Sequence, residues 1–254
     1  MKKPKLILII DDLGDNFHLG KRVLNLPVAL NLAFLPNTPF AKRLAEQAFL
    51  KGHDVMLHFP MEATTRPDLL GKGALVKRHN EQEAQKLFDE NLRQIPFVIG
   101  FNNHMGSVMT GSKAHMDWIM SHAAKHGLYF VDSKTAANSV ALQSAELAGI
   151  PSLDRDVFLD PSKEQHVIEE QWRRALQIAD AQGEVVVIGH PYRETLKLLE
   201  RELPNIAERY QLVTVSDYWK EKLIPEIKLP VPAIGDGDNL SVSKESTHRA
   251  TLAL

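Results

Sequence analysis

The sequence predicts an α/β fold in which a parallel sheet, open or closed into a barrel, is covered by helices. Three observations lead there. Short apolar runs, several rich in valine and isoleucine, alternate with longer amphipathic stretches from residue 6 to residue 215. Glycines stand where three of the amphipathic stretches stop, at Gly52, Gly127 and Gly149, as helix C-termini favour. A chain of 254 residues with 44% apolar content is long enough to bury a substantial core.

The elements are taken in chain order. The opening "MKKPKLILIIDD" has a basic start and an apolar run, but residues 6–10 are too few for the core of a secretion signal and lead into two aspartates, so they read as a buried strand. Any export signal of the natural gene is expected to have been replaced by Met1. Further strands are expected over 28–34, 54–57, 97–101, 129–131, 185–188 and 212–215, where β-branched and aromatic residues concentrate. Helices are expected over 17–24, 39–51, 80–93, 113–126, 135–148, 163–181 and 192–210. These elements make one domain over residues 1–227. From Lys228 onward, "KLPVPAIGDGDNLSVSKESTHRATLAL" is rich in Pro, Gly, Ser and Thr without a sustained period, and residues 228–254 are expected to be an extended or disordered tail.

Composition removes several function classes. Thirty Lys and Arg against 32 Asp and Glu leave no basic footprint for a polyanion, so nucleic acid is not an expected partner. No segment approaches a membrane span. With no cysteine, a metal site must be built from His, Asp, Glu or Asn.

The informative pattern lies directly after the apolar runs, where polar residues recur: Asp11 and Asp12, Asn31, His58 with Glu62, Asn102 to His104, Asp132 and His190. In a parallel α/β fold the carboxyl ends of the strands open on one face, where active sites assemble. Each residue also has a structural reading. Asp11 and Asp12 suit the N-terminus of the next helix, His58 a hydrogen-bonded strand end, and Glu62 a solvated loop or a cap. "NNHMGS" suits a turn, and "IGHPY" a proline opening a helix. Coincidence of so many at strand ends favours a site. His18, His79, His115, His122, His126, His166 and His248 fall in helices or the tail and are expected at the surface, while Trp118 and Trp172 are expected to pack rather than to stack on sugars.

Taken together, "LILIIDDLGDN", "GHDVMLHFPME", "FNNHMGS", "VDSKT" and "VVVIGHPY" resemble the divergent polysaccharide deacetylases, relatives of the carbohydrate esterases. The resemblance runs from about Lys5 to about Leu223. It implies a distorted parallel β/α barrel of the seven-stranded, NodB-like type. It also implies a metal-dependent hydrolase, most simply a zinc enzyme, that removes N-acetyl or other acyl groups from an envelope glycan or amino sugar in the periplasm.

By the same resemblance, Asp11 is the general base, Asp12 and His58 are metal ligands, and His190 protonates the departing amine. "GHDVMLH" matches the group's histidine-bearing strand up to His58, but the second histidine usual four positions on is Glu62 here. The third ligand is therefore expected to be His104, with Glu62 as the alternative; Pro60 disfavours the turn that would bring Glu62 beside His58. The arginine that orients the base in the wider group is missing where "NNHMGS" stands. Asn103, Asp132 and Arg155 are expected on the substrate side, with Asn103 or Arg155 standing in for that arginine. These departures keep two other readings open: a non-catalytic carbohydrate-binding or scaffolding protein on the deacetylase fold, and metal-assisted hydrolysis of another acyl or phosphate ester. The sequence identifies no protein partner.

Overall fold

Alternation along β1 (Lys5–Leu13) sets the plan of the molecule. Leu6, Leu8 and Ile10 pack into the large apolar cluster shared with the helices, whereas Ile7 and Ile9 join a smaller cluster with Ala33, Met56, Val131, Val186 and Ile188. Side chains on successive residues of a strand point to opposite faces. Two separate apolar clusters on one sheet therefore mean a sheet covered by helices outside and curled around a filled interior. The computed structural model describes residues 2–223.

In chain order the elements after β1 are α1 (Phe17–Leu24), β2 (Asn31–Phe34), α2 (Ala41–Leu50), β3 (Asp54–Met61), α3 (Glu81–Leu92), β4 (Val98–Met105), α4 (Lys113–Lys125) and β5 (Tyr129–Asp132). The rest are α5 (Ala141–Leu147), β6 (Ser152–Asp154), β7 (Val157–Phe158), α6 (Gln165–Gln182), β8 (Glu184–Gly189), α7 (Arg193–Ile206), β9 (Gln211–Leu212) and α8 (Val215–Leu223). The strand order is β6-β5-β4-β3-β2-β1-β8-β7, with β9 against β1, and the pairings are parallel. The expected distorted barrel is the observed architecture.

Closure of the barrel rests on two residues. β6 and β7 are the outermost strands of the path, yet only Arg155 and Asp156 separate them in sequence. The Arg155 N–H donates to Asp132 O at the end of β5 (3.0 Å), and the next N–H, of Asp156, donates to Val186 O of β8 (2.9 Å). One peptide unit thus spans the gap that a continuous ladder would otherwise fill.

The floor departs from expectation in one element. Residues 212–215 do not continue as a strand: β9 ends at Leu212, and Thr214 Oγ1 accepts from Asp217 N at 3.2 Å, turning the chain into α8. A threonine with a free backbone N–H three residues ahead favours this cap over further extension. α8 then plugs the barrel with Val215 and Tyr218. Asn31 belongs to this floor and not to the strand ends, because β2 begins with it. Its side chain donates to Leu8 O and accepts from Val215 N. β6 and β7, three and two residues long, are strands that the sequence pattern does not predict.

Trp172 is buried and Trp118 packs on the core, as expected. His115 is buried rather than exposed, held between Ser112 Oγ and His79 O, and His122 is largely covered. The tail expected over 228–254, with His248, lies outside the described residues.

Candidate metal centre

Two consecutive aspartates can reach the same interior only if the strand carrying them is irregular. The register between β1 and β2 shifts between Ile10 and Leu13, and Asp12 has φ 55°. Such a bulge in the left-handed region is tolerated by aspartate better than by most residues. Ile7, Ile9 and Asp11 share the inward parity of a regular strand, and the bulge turns Asp12 in beside them. The capping role is taken by another residue, since α1 is capped by Asn16, whose Oδ1 accepts from Leu19 N.

The same parity delivers the imidazoles. Met56 points inward, so His58 does too, and on β4 the inward set is Gly100, Asn102 and His104. Register pairs His58 with Asn102 and Pro60 with His104, which makes the two histidines diagonal neighbours on adjacent strands. Asp12 Oδ1 lies 3.2 Å from His58 Nε2 and 3.1 Å from His104 Nδ1, and those two nitrogens are 3.1 Å apart.

The outer hydrogen bonds say which atoms face one another. Asn102 Nδ2 donates to Asp11 Oδ1 (2.8 Å), so its Oδ1 is free to accept from His58 Nδ1–H at 2.7 Å. His104 Nε2 donates to Leu69 O at 3.0 Å. In these tautomers His58 Nε2 and His104 Nδ1 both present lone pairs to the Asp12 carboxylate, which is the arrangement outer partners impose on metal-binding histidines. Asp12 Oδ1 is buried and makes no aligned hydrogen bond to a described residue. Three lone pairs at this spacing require a positive charge among them. Separations of about 3.0–3.4 Å are the edges of a tetrahedron or octahedron whose metal bonds are about 2.0–2.1 Å, so the residues present fit a divalent ion.

Charge follows burial. Burial pushes the Asp11 carboxyl above its usual range, against the opposing pull of His58 and His190. For Asp12 burial acts the same way but is outweighed by His104, His58 and His190, which hold it well below the usual range. Burial of His58 disfavours its charged form, yet Asp11 and Asp12 prevail and raise it. Without a metal, the two carboxylates thus favour the protonated form of His58.

His190, directly after β8 and in step with the inward Val186 and Ile188, stands across from this group with Nε2 3.8 Å from Asp12 Oδ2. Its Nδ1 lies 2.8 Å from Asp160 Oδ1, its backbone N–H donates to Asp160 Oδ2, and Thr195 Oγ1 donates to that same oxygen. Burial lowers the imidazole, but Asp160 more than compensates and brings it up to about 9. Tyr192 stacks on the ring at 5.3 Å. A cavity of about 380 Å³ opens above these residues, walled by Met105, Thr135, Arg155 and Phe158.

Residues 8–219 match the family described as divergent polysaccharide deacetylase. The chain belongs to this family. The uncharacterized protein YibQ of Escherichia coli is 33% identical over 232 residues, which cover 91% of this chain and 72% of YibQ. Among solved structures, an uncharacterized protein of Agrobacterium tumefaciens superposes with a TM-score of 0.81 at 19% identity, covering 86% of this chain and 90% of the other. The chitin deacetylase of Colletotrichum lindemuthianum superposes with a TM-score of 0.50 at 14% identity, covering 85% of this chain and 88% of that one. These two share the fold. Deacetylases of the wider group are generally metal-dependent.

Among divergent deacetylases, this chain thus gathers Asp11, Asp12, His58, His104 and His190 into one site. Glu62 is left out: β3 runs straight through Pro60 to Met61, and Glu62 Oε2 instead accepts from Lys77 N at 2.7 Å. Asn103 and Arg155 line the cavity, but they brace its rim, Asn103 through Ser133 N and Met105 O, Arg155 through Ser133 O and Lys134 O. Neither side chain hydrogen-bonds to Asp11. Asp132 does not face the cavity; its carboxylate accepts from Lys134 N and Ser139 Oγ. The residue that orients Asp11 is Asn102, and the one that orients His190 is Asp160. Asn102 could have been found by extending the strand parity two residues back from His104. Asp160 carried no comparable signal.

Proposed function

We propose that this chain is a metal-dependent hydrolase that removes N-acetyl or other acyl groups from a glycan or amino sugar of the cell envelope, acting in the periplasm. The observation that carries the reading is the lone-pair triad of Asp12, His58 and His104, with Asp11 and His190 beside it. A divalent ion held by that triad, zinc by its nitrogen and carboxylate donors, supplies Lewis-acid polarisation of the acyl carbonyl and a more acidic water.

The remaining roles belong to the chain. Asp11, raised by burial and oriented by Asn102, takes the proton of the attacking water. His190, kept protonated by Asp160, gives a proton to the departing sugar amine. Phe158, with the Arg155 guanidinium 5.0 Å over its ring, offers an amphipathic wall to a sugar. Asn102 Oδ1 and Leu69 O hold the two imidazoles in the tautomers that present lone pairs inward.

One feature favours a second reading, a carbohydrate-binding protein that keeps the metal: Asp11 is oriented by a neutral amide and not by a cationic arginine. Acetate release from N-acetylated amino-sugar oligomers separates the two. The hydrolase releases acetate when loaded with zinc, stops on chelation and recovers on reloading. A zinc-loaded protein that binds the oligomer without releasing acetate is the binding module.

A further inference from the structure

We infer that the chain carries a second divalent-cation site, formed by Asp89 of α3 with His122 and His126 of α4, at the opposite end of the barrel from the strand-end centre. In a parallel β/α fold the helices run back against the strands, so their last turns lie away from the strand carboxyl ends. Asp89 stands near the end of α3, His122 in the last turn of α4, and His126 at its C-cap.

Geometry makes the first case. His122 and His126 are four residues apart, a spacing that puts both side chains on one face of a helix. Their Nε2 atoms lie 2.7 and 3.0 Å from a single oxygen, Asp89 Oδ1. The three ligand atoms all fall within 4.8 Å of one another. Phe88 packs against both imidazoles, at 6.2 Å from His122 and 6.4 Å from His126, and so limits where the rings can turn.

Electrostatics makes the second. The carboxyl end of a helix carries partial negative charge, so a cation there is favoured and an aspartate is not. Here two such ends converge on one carboxylate, which is a poor place for Asp89 unless a positive charge joins it. Two neutral imidazoles satisfy Asp89 as donors but leave that potential uncompensated. A cation answers all three groups once each ring carries its proton on Nδ1 and turns the Nε2 lone pair toward the ion.

The donor set specifies the ion. Two imidazoles and one carboxylate suit Zn²⁺, Ni²⁺, Co²⁺ or Cu²⁺, and offer too few oxygens for Ca²⁺ or Mg²⁺. His126 is half-exposed, so the ion enters from solvent without unfolding, and solvent fills its remaining positions. His122 Nδ1 is buried without a partner among the described residues. The outer support that stiffens the strand-end histidines is missing, so this site binds the weaker of the two. Bound there, the ion pins α3 to α4.

Titration of the intact chain with Ni²⁺, followed by calorimetry, tests this. The wild type is expected to take up two equivalents, the second more weakly, and an excess of Mg²⁺ leaves both in place. His126→Ala, at an exposed position that tolerates truncation, loses the weaker equivalent alone, and Asp89→Asn does the same. Asp12→Ala keeps it while losing the tighter one. A wild type whose only equivalent is lost in Asp12→Ala, or equivalents retained in full in both His126→Ala and Asp89→Asn, overturns the inference.

Discussion

Asn102 holds His58 in one tautomer: its Oδ1 is 2.7 Å from His58 Nδ1, because its amide nitrogen is committed to Asp11 Oδ1. Asn102→Ala frees both partners at once in a buried setting. Outer partners of metal-ligating histidines are worth about 10–100-fold in metal affinity, and zinc competition with a chromogenic chelator should show a loss in that range. An unchanged affinity would mean that His58 needs no such support.

Asp12→Ala and His58→Ala each remove a ligand atom from the triad. Elemental analysis after equilibration with zinc and gel filtration should find one equivalent fewer in each variant than in the wild type. Metal content equal to wild type in both would exclude this ligand set.

Asp11→Asn keeps the shape of the site and the bond from Asn102 but cannot take a proton. Its metal content should match the wild type while acetate release falls by about 100-fold or more, the usual worth of a general base. Retained turnover would move the base elsewhere.

The Asp160–His190 pair predicts a pH dependence of stability in the metal-free protein. The folded imidazole titrates at about 9, above its ordinary value of 6.5. A raised histidine stabilises the fold fully below the unfolded value, and that stabilisation is lost as pH rises from about 6.5 to about 9. Unfolding midpoints should fall across that window, and Asp160→Asn should flatten the fall. NMR titration of the imidazole in that variant should give a lower midpoint; no change would show that Asp160 is not the cause.

Gly100 faces Tyr129 inside the barrel, where an added Cβ would lie 2.2 Å from the ring. Tyr129 is fixed by its hydroxyl, which donates to Asp54 Oδ2 at 3.2 Å. Gly100→Ala should therefore lower stability by about 1–3 kcal/mol in urea unfolding, as overpacked cores do. Adding Tyr129→Val should make the pair less destabilised than the sum of the single variants.

What the sequence disclosed was governed by where apolar runs stop. The apolar runs of β1, β3 and β8 are plain in the sequence, and with them Asp11, His58 and His190. β4 continues four residues past Phe101, where its apolar run ends, through Asn102 to Met105. Read as a turn, "NNHMGS" hid the alternation that separates Asn102, facing Asp11, from Asn103, facing the rim. Pro60 disfavours a turn that would bring Glu62 beside His58, and the strand passes through Pro60 unturned, which carries Glu62 away to Lys77 N. β6 and β7 leave no mark in the sequence because strands of three and two residues owe their form to their neighbours and not to their own composition. Asp160, two residues past β7, is as little marked.

The two-residue bridge at Arg155 and Asp156 makes one slit in an otherwise continuous wall, and it is placed unevenly with respect to the chemistry. The strands bearing Asp11, Asp12, His58 and His104 lie in the unbroken stretch, whereas His190 directly follows β8, whose neighbour β7 borders the slit. Any parting of that slit would shift His190 and the Arg155–Phe158 lip relative to Asp12, His58 and His104, whose strands hold one another in register.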